Sequence, residues 1–181
     1  FRERHRLEVT HAWGMTETSP LGTMARPIAA HKAASEETRM DALLSQGRPL
    51  FGVEGRIVGE SGLELPWDGR SVGELQARGN WVASSYYNDD TSPEKFKEGW
   101  LCTGDVATID PDGYVRIADR TKDLVKSGGE WISSIAIEGF IMSHPDVAEA
   151  AVIAVAHPKW DERPLACVVP KADAKERLDK E

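Results

Sequence analysis

The hydrophobic and polar positions in the middle of the chain, from Arg48 to about Asp119, predict a β-rich segment. Val53–Val58 and Gly73–Arg78 are candidate strands, because each is a short run bounded by residues that favour turns. The residues that punctuate the stretch between them are Glu60-Ser61-Gly62 and Asp68-Gly69. We therefore expect strands joined by turns in this part of the chain.

A β-hairpin is predicted at the end of the same segment. Val106–Ile109 and Tyr114–Ile117 are joined by Asp110-Pro111-Asp112-Gly113. Proline fixes one turn dihedral in advance and glycine tolerates a positive φ, so these four residues suit a tight turn. Upstream of the hairpin, Thr91-Ser92-Pro93-Glu94 has the composition of a capped helix start.

The last segment, Arg120 to Glu181, predicts a small α/β lobe. A helix is expected over Ser134–Ser143, and His144-Pro145 ends it because the residue before proline avoids helical backbone. Two strands are expected to follow, at Ala151–Val155 and Leu165–Val169. Since Ala150–Ala156 is an unbroken apolar run, the first of these strands is predicted to be central and buried on both faces.

The first segment, Phe1 to about Gly47, contains His11–Pro20, which has the pattern of a strand leading into a loop. Helical spacing follows at Met40, Leu43 and Leu44. The three segments together predict a mixed α/β (α+β) fold without internal repeats. A boundary is expected near Arg120, which divides the chain into residues 1–119 and 120–181.

Composition and charge exclude several classes of protein. The 181 residues are 40% hydrophobic and 29% charged, with a formal net charge of −8. An acidic chain without a basic stripe is not expected to bind nucleic acid. No apolar run approaches the roughly 20 residues of a membrane span, and the charged start is no signal peptide, so the cytoplasm is the expected location.

A metal site built from histidine or cysteine ligands is not indicated, and neither is a disulfide framework. The five histidines have no ligand spacing, and Cys102 and Cys167 are too few for a thiolate metal site. His144 and His157 each precede proline and are interpreted as turn residues. Cys102 has no basic neighbour that would activate it, so it is expected to pack in the interior.

The segment Trp13-Gly14-Met15-Thr16-Glu17-Thr18-Ser19-Pro20 could be a nucleotide and metal loop. The hydroxyl of Thr16 can donate to a phosphate oxygen, the carboxylate of Glu17 suits Mg²⁺, and Gly14 permits close approach. On composition alone, a solvated turn or a helix cap explains the same residues.

Two further segments carry candidate chemistry. The first is Trp100-Leu101-Cys102-Thr103-Gly104-Asp105. An ionised Asp105 could accept hydrogen bonds from both hydroxyls of a ribose, or it could be a turn residue that hydrogen-bonds to its own backbone. The run from Asp119 to Trp131 combines opposite charges with Gly128-Gly129. It could be a hinge and a loop over a ligand, or a salt-bridged surface connector.

The order and spacing of these segments resemble the acyl-adenylate-forming superfamily, which comprises acyl-CoA synthetases, peptide-synthetase adenylation domains and beetle luciferases. The blocks that carry the resemblance are WGMTE at 13–17, WLCTGD at 100–105, GYVRIADRTKDLVKSGGEWISS at 113–134 and IE at 137–138. The connecting text is similar too, so the resemblance covers nearly the whole chain. SGGEWISS is more similar to fatty acyl-CoA synthetases than to the other branches.

The resemblance implies a role for each matching residue. Trp13 would line the adenine pocket, Thr16 would touch a phosphate, and Glu17 would hold Mg²⁺. Gly14 would be a cofactor-binding residue of the same loop. Asp105 and Arg120 would hold the ribose. Lys122 matches the hinge about which the small lobe turns, and Gly129 lies in the loop that meets the thiol arm of coenzyme A.

The implied activity is that of an ATP-dependent fatty acyl-CoA synthetase, with ATP, Mg²⁺, coenzyme A and a fatty acid. Residues 1–119 would be the C-terminal portion of the large domain, and 120–181 the beginning of the mobile C-terminal lobe. The family's phosphate loop and its adenylation-promoting lysine lie outside these 181 residues, which by themselves are expected to be inactive. The alternatives are an aryl- or aminoacyl-adenylating relative, or a nucleotide-binding or interaction module that does not catalyse.

Overall fold

The structure, a computed structural model, describes residues 2–90 and 92–174. The chain divides into two compact units between Ile117 and Ala118. Strands dominate both units and helices are short, as the element bounds below show. The mixed α+β fold expected from the sequence is confirmed.

The first unit holds four of the described helices and most of the strands. Its helices are α1 (Arg2–His5), α2 (Ala29–Lys32), α3 (Glu36–Leu44) and α4 (Ser92–Lys95), and a 3₁₀ turn covers Thr16–Thr18. Its strands are β1 (Ala12–Gly14), β2 (Leu21–Met24), β3 (Arg48–Pro49), β4 (Val53–Val58), β5 (Gly73–Gly79), β6 (Phe96–Lys97), β7 (Trp100–Ile109) and the start of β8 (Val115–Arg120).

Two antiparallel sheets build this unit. The smaller has the order β1-β2-β3, and the larger has the order β4-β5-β7-β6 with β8 paired to β7. The larger sheet carries the core, a cluster of Ile57, Leu75, Ala107, Ile109 and Val115 that is fully or almost fully buried. Trp13, Leu65 and Ile117 pack against this cluster. The β1 segment therefore rests on the core through a tryptophan that also belongs to a candidate site.

The predicted strands of the first unit are confirmed. β4 has the predicted bounds, and β5 extends one residue further, to Gly79. The predicted hairpin is formed by β7 and β8, and its turn is closed by the Gly113 N–H, which donates to the Asp110 carbonyl at 2.8 Å. Gly113 has a φ of +87°, the conformation that the turn required of it.

The two predicted helices of this unit are also present. Ser35 caps α3, because its hydroxyl accepts the Thr38 N–H at 3.2 Å. The helical spacing of Met40, Leu43 and Leu44 falls within α3, although Leu44 is 67% exposed. α4 begins at Ser92, and the predicted first residue of this start, Thr91, lies outside the described residues.

The second unit consists of one helix and a four-stranded antiparallel sheet. Its elements are α5 (Ser134–Met142), β9 (Val125–Ser127), β10 (Glu130–Ile132), β11 (Val147–His157) and β12 (Asp161–Pro170), with the last residues of β8 at its start. The strand order is β10-β9-β12-β11. The predicted helix is confirmed, and the Ser133 hydroxyl caps it by accepting the Ala136 N–H at 3.2 Å.

The prediction of a central strand at Ala150–Ala156 is wrong. β11 is an edge strand, paired on one side with β12. Val152 is buried, but Ile153 and Val155 on the other face are 51% and 41% exposed. Among the described residues of this unit, α5 packs against β11 on one face only. An apolar run shows that both faces avoid polar side chains, and it does not show that both are covered.

Among residues 2–90 and 92–174, no helix has the length and apolar character needed to cross a membrane.

Candidate functional site

The loop that follows β1 is fixed by its own backbone. Gly14 lies against Pro20, whose carbonyl oxygen would be 1.9 Å from a Cβ at this position, so any side chain would clash. The buried Thr18 hydroxyl accepts the Met15 N–H at 2.9 Å and donates to the Pro20 carbonyl at 2.8 Å. Thr16 is exposed and Glu17 is half-buried. The side chains of Thr16 and Glu17 are thus carried by a loop that its own hydrogen bonds hold closed.

Two of the motifs meet in the first unit although they are far apart in sequence. The indole Nε1 of Trp13 donates to Asp105 Oδ2 at 2.7 Å. The Trp13 ring lies over Gly22, where a Cβ would come within 2.3 Å of it. Glycine at position 22 therefore allows the ring to reach Asp105, and the WGMTE and WLCTGD motifs form one local arrangement.

Asp105 stands on a bend in β7. Gly104 before it has a φ of +75°. The Thr103 hydroxyl donates to the Leu75 carbonyl at 2.6 Å and accepts the Asp105 N–H at 3.1 Å. The bend is thus held to β5, and it carries the carboxylate that accepts the indole N–H of Trp13.

Glu17 is held by residues 83–86, which belong to none of the sequence motifs described above. The Ala83 N–H donates to the Glu17 carbonyl at 2.8 Å, and the Tyr86 hydroxyl donates to Glu17 Oε1. This hydrogen bond to a carboxylate, together with partial burial, raises the pKa of Tyr86 to about 12. The only signal in the sequence was a Tyr86-Tyr87 pair in a polar stretch, and nothing there distinguishes Tyr86 from the fully exposed Tyr87.

The Glu17 carboxylate fits a magnesium ion that is shared with a substrate. Among the described residues there is no group of three or more His, Cys, Asp or Glu side chains that could enclose a metal. Mg²⁺, however, is commonly held by one or two carboxylates together with phosphate oxygens and water. The Tyr86 hydroxyl donates to Oε1 of Glu17, and the lone pairs that remain on the carboxylate could hold such an ion.

In the second unit, Asp119 organises the strand end that carries Arg120. Its Oδ1 accepts the Arg120 N–H at 2.7 Å, and its Oδ2 accepts the hydroxyls of Ser133 and Ser134 at 3.1 and 3.0 Å. Burial alone would raise the pKa of Asp119, but these hydrogen bonds outweigh it and hold the pKa below its ordinary value. The end of β8 and the start of α5 are therefore joined through one buried carboxylate.

Arg120, Lys122 and Gly129 lie at turns of the second unit. Lys122 is exposed in the turn after β8, where the Asp123 and Leu124 N–H groups both donate to the Arg120 carbonyl, at 2.9 and 3.1 Å. Gly128-Gly129 is the two-residue loop between β9 and β10, and both glycines have a positive φ, +61° and +86°. A Cβ at Gly129 would meet nothing within 4 Å.

The interpretations of the remaining polar candidates are confirmed. Cys102 is buried, and burial raises the pKa of its thiol, which suits packing rather than chemistry. His144 and His157 are turn residues, since their Nδ1 atoms accept the N–H groups of Asp146 and Lys159, both at 3.2 Å.

The sequence matches two related families. Residues 1–87 match the family of AMP-binding enzymes, and residues 136–181 match the AMP-binding enzyme C-terminal domain. The chain is 50% identical to 3-methylmercaptopropionyl-CoA ligase of Ruegeria lacuscaerulensis, over 100% of this chain and 33% of that protein. It is 51% identical to medium-chain-fatty-acid–CoA ligase of Ectopseudomonas oleovorans, over 93% of this chain and 31% of that protein.

A solved structure shows the same fold over almost the whole chain. It is o-succinylbenzoate CoA synthetase from Bacillus subtilis in complex with the acyl-adenylate intermediate OSB-AMP, with a TM-score of 0.76 and 33% identity. The match covers 99% of this chain and 37% of that one, and the chain spans about a third of the length of the curated relatives. The resemblance inferred from the motifs is confirmed: the chain belongs to the acyl-adenylate-forming family of AMP-binding enzymes.

Proposed function

We propose that the protein carrying this chain is an acid–thiol ligase that activates a carboxylic acid with ATP and transfers the acyl group to coenzyme A. The observation that carries the proposal is the contact between Trp13 and Asp105, which unites two motifs of the family at one place. Glu17, from the loop that Trp13 begins, supplies the carboxylate for a cation. The CoA ligases among the relatives support the same activity.

The reaction consists of two displacements. A carboxylate oxygen of the acid attacks the α-phosphorus of ATP, the bond to the bridging oxygen breaks, and pyrophosphate leaves. The sulfur of coenzyme A then attacks the acyl carbon of acyl-AMP, AMP leaves, and the thiol proton passes to water. No side chain of the protein forms a covalent bond in either step.

The residues of the first unit would bind and orient the nucleotide. Asp105 would accept the ribose hydroxyls, Trp13 would line the adenine pocket beside it, and the exposed Thr16 hydroxyl would donate to a phosphate oxygen. The carboxylate of Glu17 would hold Mg²⁺. When bound, the ion supplies positive charge that offsets the charge developing at the α-phosphate.

The residues of the second unit would contribute to ribose binding, to the movement of the lobe and to the contact with coenzyme A. Arg120 would also hold the ribose, Lys122 would be the pivot of the mobile lobe, and Gly129 would belong to the loop that meets the thiol arm. In this proposal residues 1–119 are the end of the large domain and residues 120–181 are the beginning of that lobe. The open space around Gly129 leaves room for a ligand beside this loop.

The proposed acid is a fatty acid. Three relatives at 50–52% identity are ligases of aliphatic carboxylates: one acts on a medium-chain fatty acid and two act on 3-methylmercaptopropionate. Relatives with aromatic acids, such as trans-cinnamate:CoA ligase of Petunia hybrida, are less similar at 39% identity. A panel of aliphatic, aryl and amino acids decides this, and higher kcat/KM for benzoate or cinnamate than for every aliphatic acid would reject the fatty acid.

Substitution of Asp105 tests the central part of the proposal. In the whole protein, Asp105→Ala should lower kcat/KM for ATP about tenfold or more, because an ionised acceptor contributes roughly 1.5–3 kcal/mol. The effect should be smaller for 2′,3′-dideoxy-ATP, which lacks both ribose hydroxyls. Asp112→Ala is the control, an exposed carboxylate in the β7–β8 turn. Equal loss for both nucleotides would remove Asp105 from ribose binding.

A further inference from the structure

Glu17 receives two hydrogen bonds from one short segment, Ala83–Tyr86. The Ala83 N–H donates to the Glu17 main-chain carbonyl at 2.8 Å, and the Tyr86 hydroxyl donates to the side-chain Oε1. One contact fixes the backbone of Glu17 and the other fixes its carboxylate. The two residues are 69 positions apart, so the contact depends on tertiary structure.

The tyrosine that makes this contact is itself held in place. Its N–H donates to the hydroxyl of the buried Ser92 at 2.8 Å, and its ring meets Phe96 edge to face, with the centroids 5.3 Å apart. Tyr86 is half-buried, whereas the neighbouring Tyr87 is fully exposed. The hydroxyl of Tyr86 is therefore directed at Glu17 by contacts on both its main chain and its ring.

We propose that Tyr86 is a positioning residue for the cation-binding carboxylate: its hydroxyl holds Oε1 of Glu17 and so fixes the orientation in which the carboxylate is presented to a divalent cation. The inference rests on the proposed function of Glu17 and adds a residue that acts through it. A carboxylate held by a second hydrogen bond loses less rotational freedom when it binds an ion. In this role Tyr86 would act only through Glu17.

The test measures cation binding directly, with Mn²⁺ as the probe. The whole protein is mixed with a non-hydrolysable ATP analogue, and bound Mn²⁺ is measured by electron paramagnetic resonance. Tyr86→Phe removes the hydroxyl and keeps the ring, and should weaken Mn²⁺ about tenfold, since a hydrogen bond to a charged group is lost. Tyr87→Phe removes the same atom from the exposed neighbour and should leave the affinity unchanged. An unchanged affinity in Tyr86→Phe overturns the inference.

A second set of variants separates this inference from the proposed function. Glu17→Gln should weaken Mn²⁺ as well, and adding Tyr86→Phe to it should cause no further loss, because the hydroxyl then has no carboxylate to position. Loss in Glu17→Gln without loss in Tyr86→Phe overturns only the role of Tyr86. No loss in Glu17→Gln removes the cation role of Glu17 itself. If Tyr86→Phe weakens Mn²⁺ binding equally in the wild type and in Glu17→Gln, Tyr86 acts through the fold alone, and the inference is also overturned.

Thermal melting of each variant keeps the test independent of folding. The affinities are compared at a temperature where every variant is fully folded. Ser92→Ala is the second variant if Tyr86→Phe does not fold, since it removes the acceptor that anchors the Tyr86 main chain and leaves the hydroxyl in place. A weaker Mn²⁺ affinity is again expected, and an affinity equal to that of Tyr87→Phe contradicts the proposal.

Discussion

Trp13 and Asp105 illustrate how far single residues can be predicted. The sequence indicates both as candidate site residues. It does not predict the hydrogen bond between them, because they are 92 positions apart and no local pattern indicates such a pairing. Gly14 is predicted to permit close approach in a nucleotide loop, whereas the group that lies against it in the structure is the Pro20 carbonyl of the same loop. The sequence does not predict a role for Tyr86, because its partner Glu17 becomes its neighbour only after folding.

The two cysteines give a prediction at the level of single side chains. Burial favours the neutral thiol and so raises the pKa of Cys102, whereas Cys167 is exposed on β12. At pH 8, iodoacetamide should therefore modify Cys167 at least about tenfold faster than Cys102, because only the accessible thiolate reacts. Mass spectrometry of the native protein measures both rates.

The control is Cys167→Ser, which leaves Cys102 as the one thiol among these 181 residues. In this variant, modification should remain slow until denaturant unfolds the first unit, and then reach the rate of an ordinary cysteine. Rapid modification of Cys102 in the native protein would show that the thiol is more accessible than its position in β7 allows.

Secondary-structure elements were predicted well where turn residues bound them on both sides. β4 and β5 agree with the prediction to within one residue, since glycines lie at or next to their ends and turn residues lie between them. β11 was predicted with the wrong environment. Its residues Ala150–Ala156 have the composition of a strand covered on both faces, and only packing against α5 and pairing with β12 show that it lies at an edge. A pattern reports polarity, whereas coverage depends on the rest of the fold.

The junction of β8 and α5 depends on Asp119, and this dependence predicts a pH effect. The folded pKa is lower than the unfolded value of 3.8, so the carboxylate stabilises the fold fully above pH 3.8. That contribution is lost as the pH falls through the lowered folded pKa. Asp119→Asn should reduce the free energy of unfolding by roughly 1.5–3 kcal/mol at pH 7, because hydrogen bonds to a charged acceptor are lost.

Urea unfolding of the wild type and the variant at several pH values tests this effect. The difference in unfolding free energy should be constant near neutrality and narrow below pH 3.8. Asp173→Asn is the matched control, because that carboxylate is exposed in the same unit and its loss should cost little. A difference that does not change with pH would mean that the charge of Asp119 is not what stabilises the junction.

At the scale of the whole molecule, the chain carries two units and the turn that follows β8. The family matches cover residues 1–87 and 136–181, and the residues between them include Asp105, Arg120, Lys122 and Gly129. The similarity to a relative over the whole chain and to a solved structure over 99% of it extends across this stretch. The order of motifs was sufficient to predict the family, but the movement of one unit during a reaction cycle cannot be derived from a single fold.

Lys122→Pro tests that movement in the whole protein. A hinge residue must change its backbone dihedrals, and proline holds φ near −65°, so it cannot follow a large change. The turn here is closed by the N–H groups of Asp123 and Leu124, so proline at 122 removes neither of these donors. If adenylation and thioester formation need different orientations of the lobe, one half-reaction should fall by orders of magnitude while the other survives. We expect adenylation to survive.

The measurement separates the two steps by following acyl-AMP formation from ATP, and thioester formation from preformed acyl-AMP. Lys122→Ala is the matched control, because it removes the side chain and keeps the freedom of the backbone, so both half-reactions should remain near the wild-type rates. A loss in Lys122→Ala equal to that in Lys122→Pro would assign the effect to the ammonium group instead. Modest and equal losses in both steps of Lys122→Pro are what a surface connector predicts, since a strained turn lowers stability without selecting one orientation. That outcome would remove Lys122 from the pivot.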